Sequence, residues 1–280
     1  MLMMDLTLLR QKDKFPLYVL EKLNRVPVDY REKHLSIAHS NSTGALHLEA
    51  GVVLLLHYQN SGYIFQLIKR SQAVAQAGDI SCPGGILETL TDEMLSHILC
   101  KTEMIRMADG RSLNDFQNKD DQTASLIRLF LMNALRESWE EIGLDPLNVC
   151  FLGALPTYSL TFFSRTIFPV VGLVREPFDY RLSDEVEKVM EIPVDYFFQS
   201  SSYAVLEIES GSENSDPRYN MKFPCLVVED DNGHEDILWG ATFNIIANFL
   251  QTITGNPVPS SPSSRIVKKM LSPHYASGKR

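Results

Sequence analysis

Arg136-Glu137-Ser138-Trp139-Glu140-Glu141-Ile142-Gly143-Leu144 is the stretch from which the rest of the chain can be read. On a helix turning about 100° per residue, with Glu137 set at zero, Glu140 falls at ~300° and Glu141 at ~40°. The three carboxylates therefore share one face. Ile127, Leu131, Ala134, Leu135, Ser138 and Ile142 gather on a neighbouring arc that can pack on a sheet. The pattern predicts a helix over residues 123–142, stopped by Gly143. Like charges this close repel, by roughly a few tenths of a kcal/mol per pair on an exposed helix. Hard oxygen donors at this density suit Mg²⁺ or Mn²⁺, which keep several waters and bridge to phosphates. Arg136 lies one turn before Glu140 and can orient it by a bidentate contact. Taken alone, the helix could equally be a solvated acidic face. The segments upstream bear on that choice.

Residues 50–58 form a leucine and β-branched run, and residues 63–68 a second one. Asn60-Ser61-Gly62 between them predicts a β-hairpin. Residues 78–85, Gly-Asp-Ile-Ser-Cys-Pro-Gly-Gly, are rich in turn formers. A helix is expected over 91–107 and a polar loop over 109–121. Strands are expected at 149–155, 166–174, 203–208 and 223–228. A last helix is expected at 242–252, after Trp239-Gly240, and a short one near 17–23. No internal repeat is visible. This order predicts a mixed sheet with helices on its faces, of α/β (α+β) class, in one domain over residues 48–253. Residues 1–47 read as a lead-in segment and residues 89–125 as an inserted helical segment. Residues 254–280, rich in Pro and Ser and then basic, read as a poorly ordered tail.

The chain has 280 residues, 44% of them hydrophobic and 22% charged, enough for a folded core. Its formal net charge of -9 argues against a general nucleic-acid binder, which needs a basic footprint. Cys82, Cys100, Cys150 and Cys225 are widely spaced and form no CxxC pair, so no zinc site is expected and a reducing compartment is. No apolar run is long enough to cross a membrane, no signal peptide is read in residues 1–14, and the final Ser277-Gly278-Lys279-Arg280 is not a clear peroxisomal address. A cytoplasmic location with no membrane or nucleic-acid partner is the expectation.

Arg136, Glu137, Glu140, Glu141, Gly143 and Leu144, with Pro83-Gly84-Gly85 upstream, resemble the signature of the Nudix family. That signature runs Gly, five residues, Glu, seven residues, then Arg-Glu-apolar-x-Glu-Glu-x-Gly-apolar. Ser138 stands at the apolar position. Counted from Gly85, the signature's arginine is due at Leu99, whereas the matching one is Arg136, 37 residues later. The surplus is read as the insertion. Glu88, Asp92 and Glu93 are candidates for the signature's first glutamate, Glu88 first. Lys69-Arg70-Ser71 and 77–85, ending Cys82-Pro83-Gly84-Gly85, are similar to the extra motif of the CoA pyrophosphatase subfamily. Gln76 stands where that motif has His, and Cys82 where it has Phe. Pro169-Val170-Val171-Gly172, Asp184-Glu185-Val186, Ile192-Pro193 and Leu238-Trp239-Gly240-Ala241-Thr242 extend the likeness over about residues 48–252.

The resemblance implies a Nudix-type α/β/α sandwich and metal-dependent hydrolysis of a diphosphate. Glu140, Glu141 and the Gly85 carbonyl would ligate Mg²⁺ or Mn²⁺. Glu137 would be a further ligand or the base that deprotonates water. Glu185, from a distant loop, would complete the site, and Lys69, Arg70 and Gly84 would meet substrate phosphates. The substrate read from it is a small nucleotide diphosphate: CoA or acyl-CoA, cut to 4′-phosphopantetheine (or its acyl form) and 3′,5′-ADP. Alternatives are ADP-ribose, NADH or a dinucleoside polyphosphate, and, in another class, a non-catalytic Nudix-fold nucleotide sensor. The insertion is read as a lid or a homodimer contact. Trp239 and Tyr158 read as core aromatics, His234 as an exposed loop residue, and Cys82 as no nucleophile, having no His beside it.

Overall fold

A computed structural model of the chain describes residues 6–101, 105–113, 120–160, 163–209, 221–230, 233–259, 265–271 and 275. Strands β1 (Leu48–Gln59) and β2 (Gly62–Arg70) pair antiparallel. Their turn is Asn60-Ser61, both with positive φ, at 50° and 66°. Two such residues match the twist of the flanking strands, so this short loop closes the hairpin. Next come β3 (Ile80–Ser81), β4 (Gly84–Ile86), and the helices α3 (Thr89–Lys101) and α4 (Asp121–Ile142). Strands β5 (Val149–Ala154), β6 (Tyr158–Ser159), β7 (Arg165–Val174) and β8 (Val186–Pro193) complete the main sheet. Its order is β3-β2-β1-β7-β5, with β4 on β1, β6 on β7 and β8 on β2. The β1–β7 pair is parallel and its other pairs antiparallel, so the sheet is mixed, as expected. A smaller sheet joins β9 (Tyr203–Glu209), β10 (Lys222–Glu229), β11 (Glu235–Leu238) and β12 (Ile266–Met270) in the order β11-β10-β9-β12. Helix α5 (Gly240–Thr254) lies between β11 and β12 in the chain.

Helices cover both faces of the main sheet. On one face α5 and α1 (Lys14–Asn24) enclose a core that includes Phe15, Leu23, Phe65, Leu226 and Phe249. On the other, α4 and α2 (Tyr30–Ser42) enclose a second, with Tyr30, Phe130, Leu131, Phe168 and Ile142. Phe130 stacks on Phe168 at 3.8 Å between ring centroids. The arc of α4 read as sheet-facing is buried throughout: Ile127, Leu131, Ala134, Leu135, Ser138 and Ile142. The Asp120 carboxylate accepts from the Thr123 N–H and caps the N-terminus of α4, and Gly143, at φ 74°, closes its other end.

Several segments differ from their sequence reading. Residues 1–47, expected as a lead-in, hold α1 and α2, whose apolar sides enter both cores; the buried Tyr30 hydroxyl donates to the Pro169 carbonyl at 2.7 Å. The helix expected over 91–107 is α3, and beyond it Arg106 bridges Ser112 and Met107 bridges β5. Ile105 and Met107 are buried, so core packing rather than helical period sets their conformation. In the tail, expected to be poorly ordered, β12 pairs parallel with β9. The basic residues that suggested disorder find acids there: Lys268 meets Glu209 at 2.5 Å, and Lys269 pairs with Asp79. Strands β8 and β11 had no sequence-based expectation. The remainder of the 109–121 loop, the C-terminal four residues and part of the insertion lie outside the described residues. No described helix is long and apolar enough to cross a membrane.

One polar contact locks α4 onto the sheet where β4 joins it. Asn133, fully buried, accepts the Gly51 N–H through Oδ1 at 2.6 Å, and its Nδ2 donates to the Ile86 carbonyl at 3.1 Å. Replacing Asn133 with Ala leaves the buried Gly51 N–H without its acceptor and frees the Ile86 carbonyl on an exposed residue. Urea denaturation should show a loss of about 1–3 kcal/mol, chiefly from the buried N–H.

Candidate functional site

Gly84 and Gly85 form the contact between β4 and α4. At Gly84 φ is 143°, and a Cβ there would lie 2.2 Å from the Gly51 carbonyl oxygen. At Gly85 a Cβ would lie 2.4 Å from Glu137 Cδ. A side chain at Gly84 would strike the backbone of β1, so that position requires glycine; one at Gly85 would displace the Glu137 carboxylate. The Gly84 N–H donates to Glu141 Oε2 at 3.0 Å. Thus two of the three carboxylates read from the helix, Glu137 and Glu141, converge on the glycine turn. Glu140, on the same helix, is 56% exposed at its side chain.

Arg136 organises the acids around it. Its Nε donates to Asp92 Oδ1 at 2.8 Å and an Nη to Glu137 Oε1 at 2.9 Å. A looser contact, 3.3 Å to each oxygen, reaches Glu140. The bidentate partner is therefore chiefly Asp92, fully buried on α3, rather than Glu140. Of the three candidates for the signature's first glutamate, Asp92 is the one against Arg136. Glu88, ranked first, instead donates its backbone N–H to Asp92 Oδ2 at 2.8 Å. Burial opposes the Arg136 charge, but Asp92 and Glu137 more than offset this and hold its pKa above the usual guanidinium range.

Burial raises the Glu137 pKa, against the pull of Arg136. Glu141 is only 5% exposed, and burial pushes its pKa up to about 8. The Gly84 N–H and Arg70 draw it down, while Glu137 and Glu185 raise it further. Asp92, Glu137 and Glu140 thus share the single guanidinium of Arg136, while Glu141 is bonded to the Gly84 N–H and lies under the charge of Arg70, an excess of hard oxygen donors of the type that suits a divalent cation. Among the described residues no three His, Cys, Asp or Glu side chains stand in a ready cation cage. Arg136 fills the space between Asp92, Glu137 and Glu140, and Glu141 is held to Gly84.

Glu185 is exposed, on a loop tied to both neighbours of the site. Ser183 N–H donates to the Glu141 carbonyl at 3.0 Å, and Ser71 N–H to the Glu185 carbonyl at 2.8 Å. Arg70, at the end of β2, lies within electrostatic reach of Glu141 and lines a cleft of ≈ 230 Å³ that also includes Gly84 and Gly85. Lys69 is placed elsewhere: it pairs with Glu187 at 2.8 Å and Asp236 at 3.0 Å and does not line the cleft. The pairing of β2 with β8 shifts register between Lys69 and Arg70, and the two side chains part there. Trp239 and Tyr158, read as core aromatics, are partly buried against the core and also line this cleft. His234 is exposed, and burial pushes the Cys82 thiol up to about 12, as an inert thiol requires. Asn133 and Arg165, a further cleft residue, had no sequence signal; only the paired strands bring them to the turn and the cleft.

No protein-family model matches the chain. It is 31% identical over 132 residues to a protein of Pectobacterium atrosepticum called uncharacterized Nudix hydrolase NudL, covering 46% of this chain and 62% of that one. Over 165 residues it is 26% identical to the peroxisomal coenzyme A diphosphatase ndx-8 of Caenorhabditis elegans, covering 58% of this chain and 55% of that one. The chain thus spans only part of the curated relatives it matches. Among solved structures, a Nudix hydrolase of Alicyclobacillus acidocaldarius aligns with a TM-score of 0.37 at 14% identity, over 56% of this chain and 83% of that one.

The raised Glu141 pKa has a consequence in metal-free protein. Between the ordinary carboxylate range and about pH 8, the unfolded chain releases this proton and the folded chain keeps it. Stability tied to Glu141 is therefore fully present at acid pH and falls as pH rises through that window. With chelator present, melting temperature should fall from about pH 5 to about pH 8, and Glu141→Gln should flatten the slope. An equal slope in both proteins would show that Glu141 titrates normally.

Proposed function

We propose that the chain is a Nudix hydrolase, as its similarity to proteins so named supports, and that it hydrolyses the diphosphate of a nucleotide-derived small molecule, with CoA or acyl-CoA as substrate. The products are 4′-phosphopantetheine, or its acyl form, and 3′,5′-ADP. The observation that carries the reading is the convergence of Glu137 and Glu141 on Gly84-Gly85. The similarity to a named coenzyme A diphosphatase supports the choice of substrate, as does the Lys69-Arg70-Ser71 to Gly85 motif.

Glu137, Glu140, Glu141 and the Gly85 carbonyl would hold Mg²⁺ or Mn²⁺, which offsets phosphate charge and lowers the pKa of a bound water. The chain's own groups do the rest. Asp92 fixes Arg136, and Arg136 fixes Glu137 and Glu140 in turn, so the carboxylates are set before substrate arrives. The Gly84 N–H holds Glu141 in place. Glu137 either ligates the cation or takes the proton from the attacking water. Glu185 adds a carboxylate from the solvent side, and Arg70 meets a phosphate oxygen. The free thiols of Cys82, Cys150 and Cys225 accord with a reducing compartment, and we place the protein in the cytoplasm.

Mass spectrometry of the products of CoA incubated with Mg²⁺ tests the reading. Release of 4′-phosphopantetheine and 3′,5′-ADP is expected; cleavage of ADP-ribose but not CoA would replace the substrate. Glu137→Gln should lower kcat by about a hundredfold or more. A Glu140→Gln variant that hydrolyses as fast as wild type would favour the non-catalytic reading of this site or an unrelated catalytic site.

A further inference from the structure

Three charged side chains line the cleft beyond the glycine turn, among the described residues: Arg70, Asp79 and Arg165. Asp79 is already engaged. Its carboxylate pairs with Lys269 and accepts from the Tyr275 hydroxyl and from Trp239 Nε1, the last at 3.1 Å. The two arginines have no such partner. Arg165 has a buried Nε with no hydrogen-bond acceptor, and neither guanidinium forms an ion pair among the described residues. Arg70 spends only its Nε, on the Ala75 carbonyl at 2.8 Å. Burial lowers the Arg165 pKa, and the nearby charge of a second cation, Arg70, lowers it further. A half-buried guanidinium with an unsatisfied Nε beside another cation is unfavourable, and an anion relieves both effects at once.

The strands explain the placement. Gly84 of β4 stands opposite Val52 of β1, and Arg165 of β7 stands opposite Leu48. Arg165 therefore enters the cleft four residues along β1 from the turn, about 13 Å in an extended strand. Its side chain and Arg70 face the same cleft, and Ala50, Val52 and Ile167 line the apolar floor.

We infer that Arg70 and Arg165 form a phosphate-binding subsite in this cleft, which takes a phosphoryl group of the substrate. Two guanidinium forks match the oxygens of a phosphate bidentately, and the apolar floor excludes competing water. The phosphoryl group is either part of the scissile diphosphate or a separate phosphate ester on the nucleotide. The inference that this group belongs to a substrate rests on the proposed hydrolase activity; the binding of phosphate does not.

The test uses the full chain, with two readouts. With chelator present and ionic strength held constant with chloride, inorganic phosphate should raise the melting temperature of wild type. Arg165→Met should lose at least half of that rise, and Arg165→Lys, which keeps the charge without the fork, should retain more. No rise in wild type, or an equal rise in a folded Arg165→Met, would overturn the subsite. In steady-state kinetics, Arg165→Met should raise KM for CoA about tenfold or more, with a smaller change in kcat. If KM rises for CoA but not for 3′-dephospho-CoA, the subsite holds the separate ester; an equal rise for both assigns it to the diphosphate. Unchanged KM for both would overturn its role in substrate binding. Failure of wild type to cleave either compound, with phosphate binding intact, would remove the CoA reading and leave the anion subsite standing.

Discussion

The hydrogen bond from the Gly84 N–H to the buried Glu141 carboxylate joins the sheet to the acidic helix. Much else in the molecule serves that meeting. It requires a strand edge without side chains, and hence Gly84 and Gly85. It requires α4 to lie close to β1 and β4, which Asn133 secures by bonding Gly51 and Ile86 together. It also requires that a carboxylate sit among Ser138, Ile142 and the apolar side of the same helix. Burial makes that carboxylate expensive to ionise.

The surroundings of Arg136 show how a surplus of negative charge is kept in order. A single guanidinium contacts Asp92, Glu137 and Glu140, and its own burial would be unfavourable without them. Three acids and one base leave a net anionic cluster even before Glu141 is counted. The cluster is held rigid by the arginine and remains short of positive charge. On the proposed reading, a divalent ion and a phosphate chain would supply that charge. On the far side of the glycine turn the balance reverses. Arg70 and Arg165 face a cleft whose one acid among the described residues, Asp79, is spent on the C-terminal segment. Opposite signs thus flank the turn.

The N-terminal helices and the C-terminal strand extend this pattern outward. Phe15, Val19 and Leu23 of α1 fill one core, and Tyr30 and Ile37 of α2 the other, so the first fifty residues help to hold the sheet in place. Strand β12 completes the edge of the small sheet, and Lys269 and Tyr275 reach Asp79 at the rim of the cleft. The Trp239 indole, bonded to the same carboxylate, is held against that rim.

What the sequence determined by itself were the local periodicities and stops. The 3.6-residue period of α4, the Gly143 stop, the hairpin around Asn60-Ser61 and the clustering of Glu137, Glu140 and Glu141 are properties of neighbours in the chain, and short-range geometry suffices to read them. The nearness of Gly84 and Gly85 to those glutamates was legible only as a resemblance. The tertiary structure decided the long-range partners. It chose Asp92 over Glu88 for Arg136, turned Lys69 toward Glu187 and Asp236, and brought Arg165 beside Arg70. It also recruited the basic tail to Asp79. Each of these depends on which strands pair and in what register, and a shift of one residue reverses the face on which a side chain falls. That information resides in the packing of the whole chain, and no local window contains it.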